Sequence, residues 1–292
     1  MGEDGVGFIG LGVMGEPMAS NLVRSGQWPV SVHDRRPEPV ERVAALGATA
    51  AGSVAAVVGR SSVVCLSLPG GPELEAVIGG PDGILSCDIA GRVIVDHTTA
   101  PVALTRELGA ACRAAGAEYC DAPVARTRQA AIDGTLSIMV GGAADAVARV
   151  EPVLAAMAAD VTRCGEIGAG QVTKLLNNMM LFQNVRALAE AHAIASGLDI
   201  DLDVATVFDT IAGASGGSFA LSNHGMKAVL PDTYPTEAFS TVYALKDLSY
   251  ALELAADAGV TAPGAETVRT LMEAARDAGH TDEYFPVMRR ML

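Results

Sequence analysis

Residues 6–15 read VGFIGLGVMG and continue into a helical pattern that ends near Gly26. The order is a short apolar strand, three glycines spaced as G-x-G-x-x-G, and then a helix. Gly10 permits a tight turn, Gly12 lets the backbone approach a bound group closely, and Gly15 lets the helix pack against the strand. The N–H groups at the start of such a helix favour a phosphate. This order predicts a dinucleotide-binding βαβ unit, with a simple tight turn as the alternative. The predicted cofactor contacts in it are Gly10, Leu11, Gly12, Val13, Met14 and Gly15.

The residue after the second predicted strand, Val30–His33, indicates which dinucleotide is bound. Asp34 follows Gly15 at the distance where a carboxylate accepts hydrogen bonds from the adenine ribose, which favours NAD. Arg35 and Arg36 come next, and arginine favours the additional phosphate of NADP, unless both lie in a solvated loop. The sequence therefore predicts NAD as the cofactor and leaves the use of NADP open.

Strands and helices alternate through the first half of the chain. Further strands are predicted at 62–68, 93–95, 118–121, 136–140 and 160–163, with helices between them at about 37–47, 72–78 and 101–115. This alternation is typical of a doubly wound, mostly parallel α/β sheet. Polar Thr98 and Thr99 follow one strand end, at the edge where such sheets bind ligands. Helix capping before Pro101 is the alternative role for these threonines.

The stretch GAGQVTKLLNNMMLFQNVRALAEAHAIASG, residues 168–197, predicts one long helix that is apolar on nearly every side. Such a helix is expected to be covered all round. Lys174 and Asn178 are four residues apart, so they project from one face, one turn from each other. An ammonium group early in a buried helix is costly unless chemistry uses it. A lysine that reaches water from the helix end is the alternative.

Beyond Gly197 the pattern is helical, with helices predicted at 203–211, 237–258 and 265–278 and a glycine-rich loop at 212–218. The sequence therefore predicts two domains, an α/β domain of residues 1–165 and an all-α domain of residues 166–292, joined by the long helix.

Within the predicted helix 237–258, Lys246 shares a face with Phe239 and Val242, so its side chain is predicted to point inward. An ion pair within the helix is the alternative. The spacing disfavours it, because Asp247 lies on another side of the helix and Glu253 is nearly two turns away.

Charge and composition exclude several classes of partner. The chain has 292 residues, of which half are hydrophobic, and a formal net charge of -14, which argues against nucleic acid or an anionic membrane surface. No apolar run is long enough to span a bilayer, and the start MGEDG is acidic where a secretory signal is basic. Five scattered cysteines form no metal-ligand pattern with the five histidines. We expect a cytoplasmic protein with reduced thiols and no metal.

Two arginines, Arg126 and Arg128, follow the tetrapeptide DAPV near the predicted ligand edge. Arginine beside such an edge suggests recognition of an anionic substrate. A surface salt bridge is the alternative.

Four separated motifs resemble the β-hydroxyacid dehydrogenases, typified by 3-hydroxyisobutyrate dehydrogenase. They are GFIGLGVMGEPMASNL at 7–22, DAPV with GTLSIMVGG at 121–142, GAGQVTKLLNN at 168–178 and KDLSYAL at 246–252. The resemblance covers nearly the whole chain. It implies an NAD(P)-binding Rossmann domain, a long interdomain helix, and an all-α domain that completes the active-site cleft and the interface of a homodimer or homotetramer.

The resemblance also implies residue roles and a reaction. Lys174 is the implied general acid and base, and Asn178 holds the substrate beside it. Lys246 reaches the nucleotide and the substrate. The implied reaction is reversible hydride transfer between the nicotinamide and a small anionic 3-hydroxy acid or semialdehyde. Further implied cofactor contacts are Leu68, Pro69 and Thr99.

One segment departs from the family pattern. Where the family commonly has Ser-Gly-Gly after DAPV, this chain has Ala125-Arg126-Thr127, which the resemblance makes the substrate-binding segment. It is similar to the Gly-Arg-Thr of sulfolactaldehyde reductases, in which the arginine grips a sulfonate, so a sulfonate substrate stays open beside a carboxylate. A reductase of imines or neutral aldehydes is another alternative, although the presence of Lys174 argues against imine reduction. The alternative outside enzymes is an NAD-binding sensor, which has no need of two inward lysines.

Overall fold

The computed structural model describes residues 5–236 and 238–292. The chain divides into two compact units, one ending at Lys174 and one running from Leu175 to Leu292. The boundary predicted from the sequence, between residues 165 and 166, lies slightly before this division.

The described part of the first unit contains a nine-stranded sheet. Its spatial order is β3-β2-β1-β4-β5-β6-β8-β7, with β9 paired to β8. Neighbours from β3 to β6 are parallel, whereas β8 runs antiparallel to β6 and β7 and parallel to β9. The predicted doubly wound, mostly parallel sheet is confirmed. In chain order the strands are β1 (Val6–Ile9), β2 (Val30–His33), β3 (Thr49–Ala50), β4 (Val63–Leu66), β5 (Val93–Asp96), β6 (Glu118–Asp121), β7 (Val124–Ala125), β8 (Leu136–Gly141) and β9 (Ala158–Gly165).

Helices cover both faces of this sheet because successive side chains of a strand point to opposite sides. Phe8 packs into one core with Met18 of the first helix, while its neighbour Ile9 packs into the other core with Leu74. Buried strands with two apolar faces require this double cover. The helices are α1 (Gly15–Ser25), α2 (Pro37–Ala44), α3 (Val54–Val58), α4 (Gly71–Gly79), α5 (Val102–Ala114), α6 (Arg128–Ile132) and α7 (Ala144–Ala155).

The second unit is helical, as predicted. Among its described residues the only paired extended backbone is an isolated bridge between Ser240 and Tyr284. Its core contains edge-on contacts between Phe285 and both Phe182 and Phe239. Glu237, the predicted first residue of one helix, lies outside the described residues. The helices are α8 (Ala169–Gly197), which begins in the first unit, α9 (Val204–Ala212), a π-helical segment (Leu221–Val229), α10 (Thr241–Asp257), α11 (Pro263–Asp277) and a 3-10 segment (Phe285–Met291).

The expectation that α8 is covered on every side is wrong for the single chain. Leu176, Met180 and Ile194 are 42%, 62% and 66% exposed. An apolar pattern records which side chains avoid water, and it does not tell whether the same chain covers them.

In the part of the chain that the structure describes, no helix is long and apolar enough to cross a membrane. No group of three or more histidine, cysteine, aspartate or glutamate side chains there is arranged to hold a metal ion. All five cysteines are free.

Asp96, at the end of β5, is a carboxyl group fully enclosed by protein. It accepts hydrogen bonds from the Tyr119 hydroxyl and the Thr98 backbone N–H, each at 2.9 Å. Burial outweighs these donors and raises its pKa from 3.8 to about 7. Because the folded state binds the proton more tightly than the unfolded state, the stability linked to this group is present at acid pH. It is lost as the pH rises from about 4 to about 7.

We expect Asp96→Asn to flatten this pH dependence, because the amide is neutral in both states. The wild type loses at most about 1.4 kcal/mol per pH unit from this group across the window. Urea unfolding of both proteins at several pH values between 4 and 7 measures the difference. The exposed Asp82→Asn serves as the control, and parallel curves for wild type and Asp96→Asn would contradict the assignment.

Candidate active site

The glycines of the first turn divide into two kinds. Gly10 has a φ of +91°, and a Cβ on it would lie 2.2 Å from the Ser67 carbonyl oxygen. A Cβ on Gly15 would lie 2.0 Å from the Gly10 carbonyl oxygen, whereas one on Gly12 would meet nothing within 4 Å. The fold therefore requires glycine at 10 and 15. At Gly12 the missing side chain instead leaves the backbone open to an approaching group.

The start of α1 lies directly after the open backbone of Gly12, and its Glu16 N–H donates to the Gly12 carbonyl at 3.1 Å. Its N-cap residue, Met14, makes no side-chain capping hydrogen bond. Val13, in the same turn, is exposed. A helix start of this kind, next to an open glycine, fits the pyrophosphate of a dinucleotide.

Asp34 lies at the end of β2 and binds the glycine-rich turn. Its Oδ2 accepts the Leu11 N–H at 2.7 Å, and its Oδ1 accepts the Arg36 N–H at 2.9 Å. The Arg36 side chain donates to the same oxygen at 3.2 Å and to the Leu11 carbonyl at 3.1 Å. Partial burial pushes the pKa of Asp34 up, but the Arg36 and Leu11 donors outweigh it and hold the pKa below its usual value. Asp34 is thus ionised, and Arg36 rather than the exposed Arg35 is bound to it.

Two strand ends are tied together beside this turn. Thr98 is buried, and its Oγ1 accepts the Leu68 N–H at 3.1 Å. The N-cap of α5 is Pro101, so the alternative that Thr98 or Thr99 caps this helix is wrong. Leu68, Pro69 and the half-buried Thr99 follow β4 and β5 at the carboxyl edge of the sheet.

Lys174 and Asn178 lie one turn apart near the start of α8. The Asn178 side chain is buried, and its Nδ2 donates to Asp247 Oδ2 at 2.8 Å. Asp247 also lies 3.1 Å, through Oδ1, from the Lys246 Nζ. One buried carboxylate of α10 therefore holds two of the residues predicted to form the site. Asp247 was not among the predicted site residues, although it directly follows Lys246 in the motif KDLSYAL.

The expectation that Lys246 does not pair with Asp247 is wrong. Adjacent residues on a helix point about 100° apart, but the four-carbon lysine side chain is long enough to bend back to a neighbouring carboxylate. The ammonium also lies over the rings of Tyr243 and Tyr250, at 5.8 and 5.4 Å from their centroids. The Lys246 side chain is half-buried, and its head group contacts Asp247, Tyr243 and Tyr250 of its own helix.

The segment Ala125-Arg126-Thr127 leaves β7 in an unusual conformation. Arg126 has a φ of +85°, in the left-handed region that favours glycine. Its guanidinium donates to the Thr135 carbonyl at 2.6 Å and to the Asp160 carboxylate. Thr127 caps α6 by accepting the Ala130 N–H at 3.5 Å. Of this segment, Ala125 is half-buried, whereas the Arg126 side chain is bound to Thr135, just before β8, and to Asp160 of β9.

Comparison with known proteins identifies the family. The profile described as the NAD binding domain of 6-phosphogluconate dehydrogenase matches residues 5–165. The profile described as NAD-binding of NADP-dependent 3-hydroxyisobutyrate dehydrogenase matches residues 168–292. The chain belongs to the β-hydroxyacid dehydrogenase family. The protein is therefore an NAD(P)-dependent oxidoreductase of the hydroxyacid dehydrogenase and semialdehyde reductase class.

Curated relatives in this family differ in their named substrates. The chain is 34% identical to 2-(hydroxymethyl)glutarate dehydrogenase of Eubacterium barkeri, over 94% of this chain and 90% of the relative. It is 34% identical to 3-hydroxyisobutyrate dehydrogenase of Pseudomonas aeruginosa, over 94% of both. It is also 34% identical to 3-sulfolactaldehyde reductase of Escherichia coli, over 94% of this chain and 91% of the relative. Equal identity to three enzymes does not select a substrate.

Two solved structures share the fold over at least 98% of this chain. Mycobacterium tuberculosis 3-hydroxyisobutyrate dehydrogenase, solved with L-serine, has a TM-score of 0.88 at 32% identity and covers 100% of this chain and 99% of its own. Psf3, solved with NADP+ and 2-OPP, has a TM-score of 0.85 at 27% identity and covers 98% and 99%. The predicted Rossmann domain followed by an all-α domain is confirmed.

Proposed function

We propose that the protein catalyses reversible hydride transfer between NAD(P) and the carbinol carbon of a small anionic 3-hydroxy acid, or of the corresponding semialdehyde. Residues 1–165 form the NAD(P)-binding domain in this proposal. Residues 166–292 form the helical domain that completes the active-site cleft.

The observation that carries this proposal is the pair Lys174 and Asn178 on one face of α8. The hydrogen bond to the buried Asp247 fixes the orientation of the Asn178 amide. A fixed amide beside an ammonium group is well placed to bind a substrate oxygen. A protein that binds a nucleotide without catalysis has no use for this arrangement.

In the proposed mechanism Lys174 moves the proton and the neighbouring side chains hold the substrate. When bound, the nicotinamide supplies the hydride acceptor for oxidation and the hydride donor for reduction. The Lys174 Nζ takes the hydroxyl proton during oxidation and returns it to the carbonyl oxygen during reduction. Asn178 gives one Nδ2 hydrogen to Asp247, and its Oδ1 accepts the Asn177 amide at 3.1 Å, so its second N–H serves the substrate oxygen.

The ionised Asp34 makes NAD the preferred cofactor. A carboxylate at this position accepts from the ribose hydroxyls and repels the additional phosphate of NADP. Arg36 partly neutralises Asp34, and Arg35 is exposed, so NADP is accepted less well rather than excluded. Leu68, Pro69 and Thr99, with Lys246, complete the proposed cofactor contacts.

The acid group of the substrate binds at Ala125, Arg126 and Thr127, with Lys246 as a further cation. Arginine suits both a planar carboxylate and a tetrahedral sulfonate. To reach either, the guanidinium exchanges Asp160 for the substrate.

A substrate panel tests the proposed function. We expect activity with small aldehydes and hydroxy acids that carry a carboxylate or a sulfonate, assayed in matched pairs with NADH or NAD and with NADPH or NADP. A sulfonate preference would place the enzyme with the sulfolactaldehyde reductases, and a carboxylate preference with the other semialdehyde reductases. Equal or higher rates with neutral aldehydes or cyclic imines would contradict the proposal, as would the absence of turnover with every substrate.

Arg126→Gly separates substrate binding from a structural role of this side chain. Glycine relieves the left-handed conformation, worth about 1–2 kcal/mol, while the exposed ion pair to Asp160 contributes about 0–1 kcal/mol, so the fold is kept. We expect KM for anionic substrates to rise at least about tenfold with little change in kcat, because the charge-assisted hydrogen bond from the guanidinium to the acid group of the substrate is lost. Steady-state kinetics with Arg128→Ala as the neighbouring control measures this. An unchanged KM would remove Arg126 from the site.

The exposed apolar residues of α8 support a homodimer or homotetramer, because Leu176, Met180 and Ile194 are covered when a second copy packs on this helix. Five free cysteines fit a reducing compartment, and we place the protein in the cytoplasm.

A further inference from the structure

Gln171, three residues before Lys174, is a fully buried polar side chain in the first turn of α8. Both ends of its amide are used. Its Nε2 donates to the Thr98 carbonyl at 2.6 Å, and its Oε1 accepts the Ala100 N–H at 3.2 Å. The Gln171 side chain therefore binds the backbone of residues 98–100 through two hydrogen bonds, and these two bonds fix the rotamer of Gln171.

The clasped segment is itself bound to the next strand end. Thr98 Oγ1 accepts the Leu68 N–H at 3.1 Å, and the Thr98 N–H donates to Asp96 at 2.9 Å. A chain of hydrogen bonds thus runs from the turn after β4, through the turn after β5, to the first turn of α8. These turns form the carboxyl edge of the sheet, where a dinucleotide binds in such folds.

A second contact fixes the backbone of the same turn. Asp121, buried at the end of β6, accepts the N–H groups of Gly168 at 2.7 Å and Gln171 at 2.8 Å. A Cβ on Gly170 would lie 2.4 Å from the Met139 carbonyl oxygen, so the helix start fits tightly against the strands. The Asp121 contacts fix the position of the helix start against the strands, and the Gln171 side-chain contacts fix the rotation of the helix about its axis.

We propose that Gln171 is a positioning residue that sets where Lys174 projects relative to the cofactor edge of the sheet. The inference rests on the proposed role of Lys174 in the reaction. Lys174 follows Gln171 by less than one turn on a continuous helix, so rotation of this turn displaces the Lys174 head group directly. A misplacement of about 1 Å at a reacting group lowers the rate on the order of 100-fold.

The test compares Gln171→Met with Gln183→Met. Methionine keeps the length of the side chain and removes both hydrogen bonds. Gln183 lies on the same helix and donates to the Met179 carbonyl at 3.3 Å within it. For Gln171→Met we expect kcat to fall at least about 30-fold, in line with the cost of misplacing a reacting group, while KM and the NADH dissociation constant stay within about threefold. For Gln183→Met we expect wild-type kcat.

Gln171→Glu supplies a readout that a packing role alone does not give. The protonated carboxyl reproduces both hydrogen bonds of the amide, whereas the carboxylate has no hydrogen to donate to Thr98. We expect kcat of this variant to approach the wild-type value at acid pH and to fall as pH rises through the titration of the new carboxyl. A kcat profile parallel to the wild type overturns the proposal, and this result decides if Gln171→Met does not fold.

Lys174→Ala, assayed alongside, separates this proposal from the proposed function. If Lys174→Ala is inactive and Gln171→Met keeps kcat within threefold of wild type, the positioning role is wrong and the function stands. If Lys174→Ala is active, the proposed function fails and the positioning role fails with it.

Discussion

Lys174→Ala is expected to lower kcat by about 100-fold to 10,000-fold, the range that general acid–base catalysis contributes. The dissociation constant of NADH, measured by fluorescence titration, is expected to stay within about threefold of the wild-type value. Binding of the cofactor does not depend on the group that transfers the proton. The reason is chemical: hydride transfer leaves a carbonyl only if the hydroxyl proton has an acceptor.

Lys174→Arg makes the same test stricter. Arginine keeps the positive charge but does not give up its proton in proteins. If Lys174 acts only as a fixed charge, this variant keeps most of the activity; if Lys174 moves a proton, it is as inactive as the alanine variant. Substantial turnover by Lys174→Ala would remove Lys174 from the mechanism altogether.

The chain offers a clean control, since it contains only three lysines, at 174, 227 and 246. Lys227 lies in the π-helical segment and contacts the Asn223 side chain at 3.0 Å in an exposed pair. Lys227→Ala is expected to leave kcat, KM and cofactor affinity unchanged.

Most of the parallel half of the sheet was predictable, because all of its strands except β3 are buried runs bounded by glycine and polar residues. The predicted strands Val30–His33 and Glu118–Asp121 match β2 and β6 at both ends. The elements that escaped prediction include β3 and β7, with two residues each, and α3 and α6, with five. Segments this short contain little more than one period of either pattern, which is too few residues for a repeat to be recognised, so tertiary contacts decide them.

The site was predictable only where its residues are close in the chain. The spacing of Lys174 and Asn178 follows from helix geometry. The bonds that hold them do not, since Asn178 and Asp247 are 69 residues apart and Gln171 and Thr98 are 73 apart. The Arg126 contact with Asp160 spans 34 residues of the chain. The φ of +85° at Arg126 could not be predicted either, because glycine is the usual sign of this conformation and the segment contains none.

Gly15→Ala is expected to lose stability, whereas Gly12→Ala is expected to stay stable and to lose cofactor affinity. A Cβ on Gly15 meets the Gly10 carbonyl oxygen at 2.0 Å, so Gly15→Ala forces the turn apart. We expect it to lose at least about 2 kcal/mol of unfolding free energy, as other overpacked sites do, and cofactor binding falls with the fold. Gly12→Ala meets nothing within 4 Å, and its φ lies outside the left-handed region. Its stability is expected to stay within about 1 kcal/mol of wild type.

Cofactor affinity then decides between the two interpretations of residues 6–15. If the open space at Gly12 receives the pyrophosphate, the new methyl group blocks the close approach of the backbone, and the NADH dissociation constant of Gly12→Ala rises at least about tenfold. Gly79→Ala, which also meets nothing within 4 Å and lies at the end of α4, controls for the loss of glycine itself. A stable Gly12→Ala protein with wild-type affinity would mean that the turn serves only the chain reversal. The phosphates would then bind elsewhere along the carboxyl edge of the sheet. Gly12 is the position that tests this, because substitutions of Gly10 and Gly15, which the backbone itself requires, report on folding and not on the ligand.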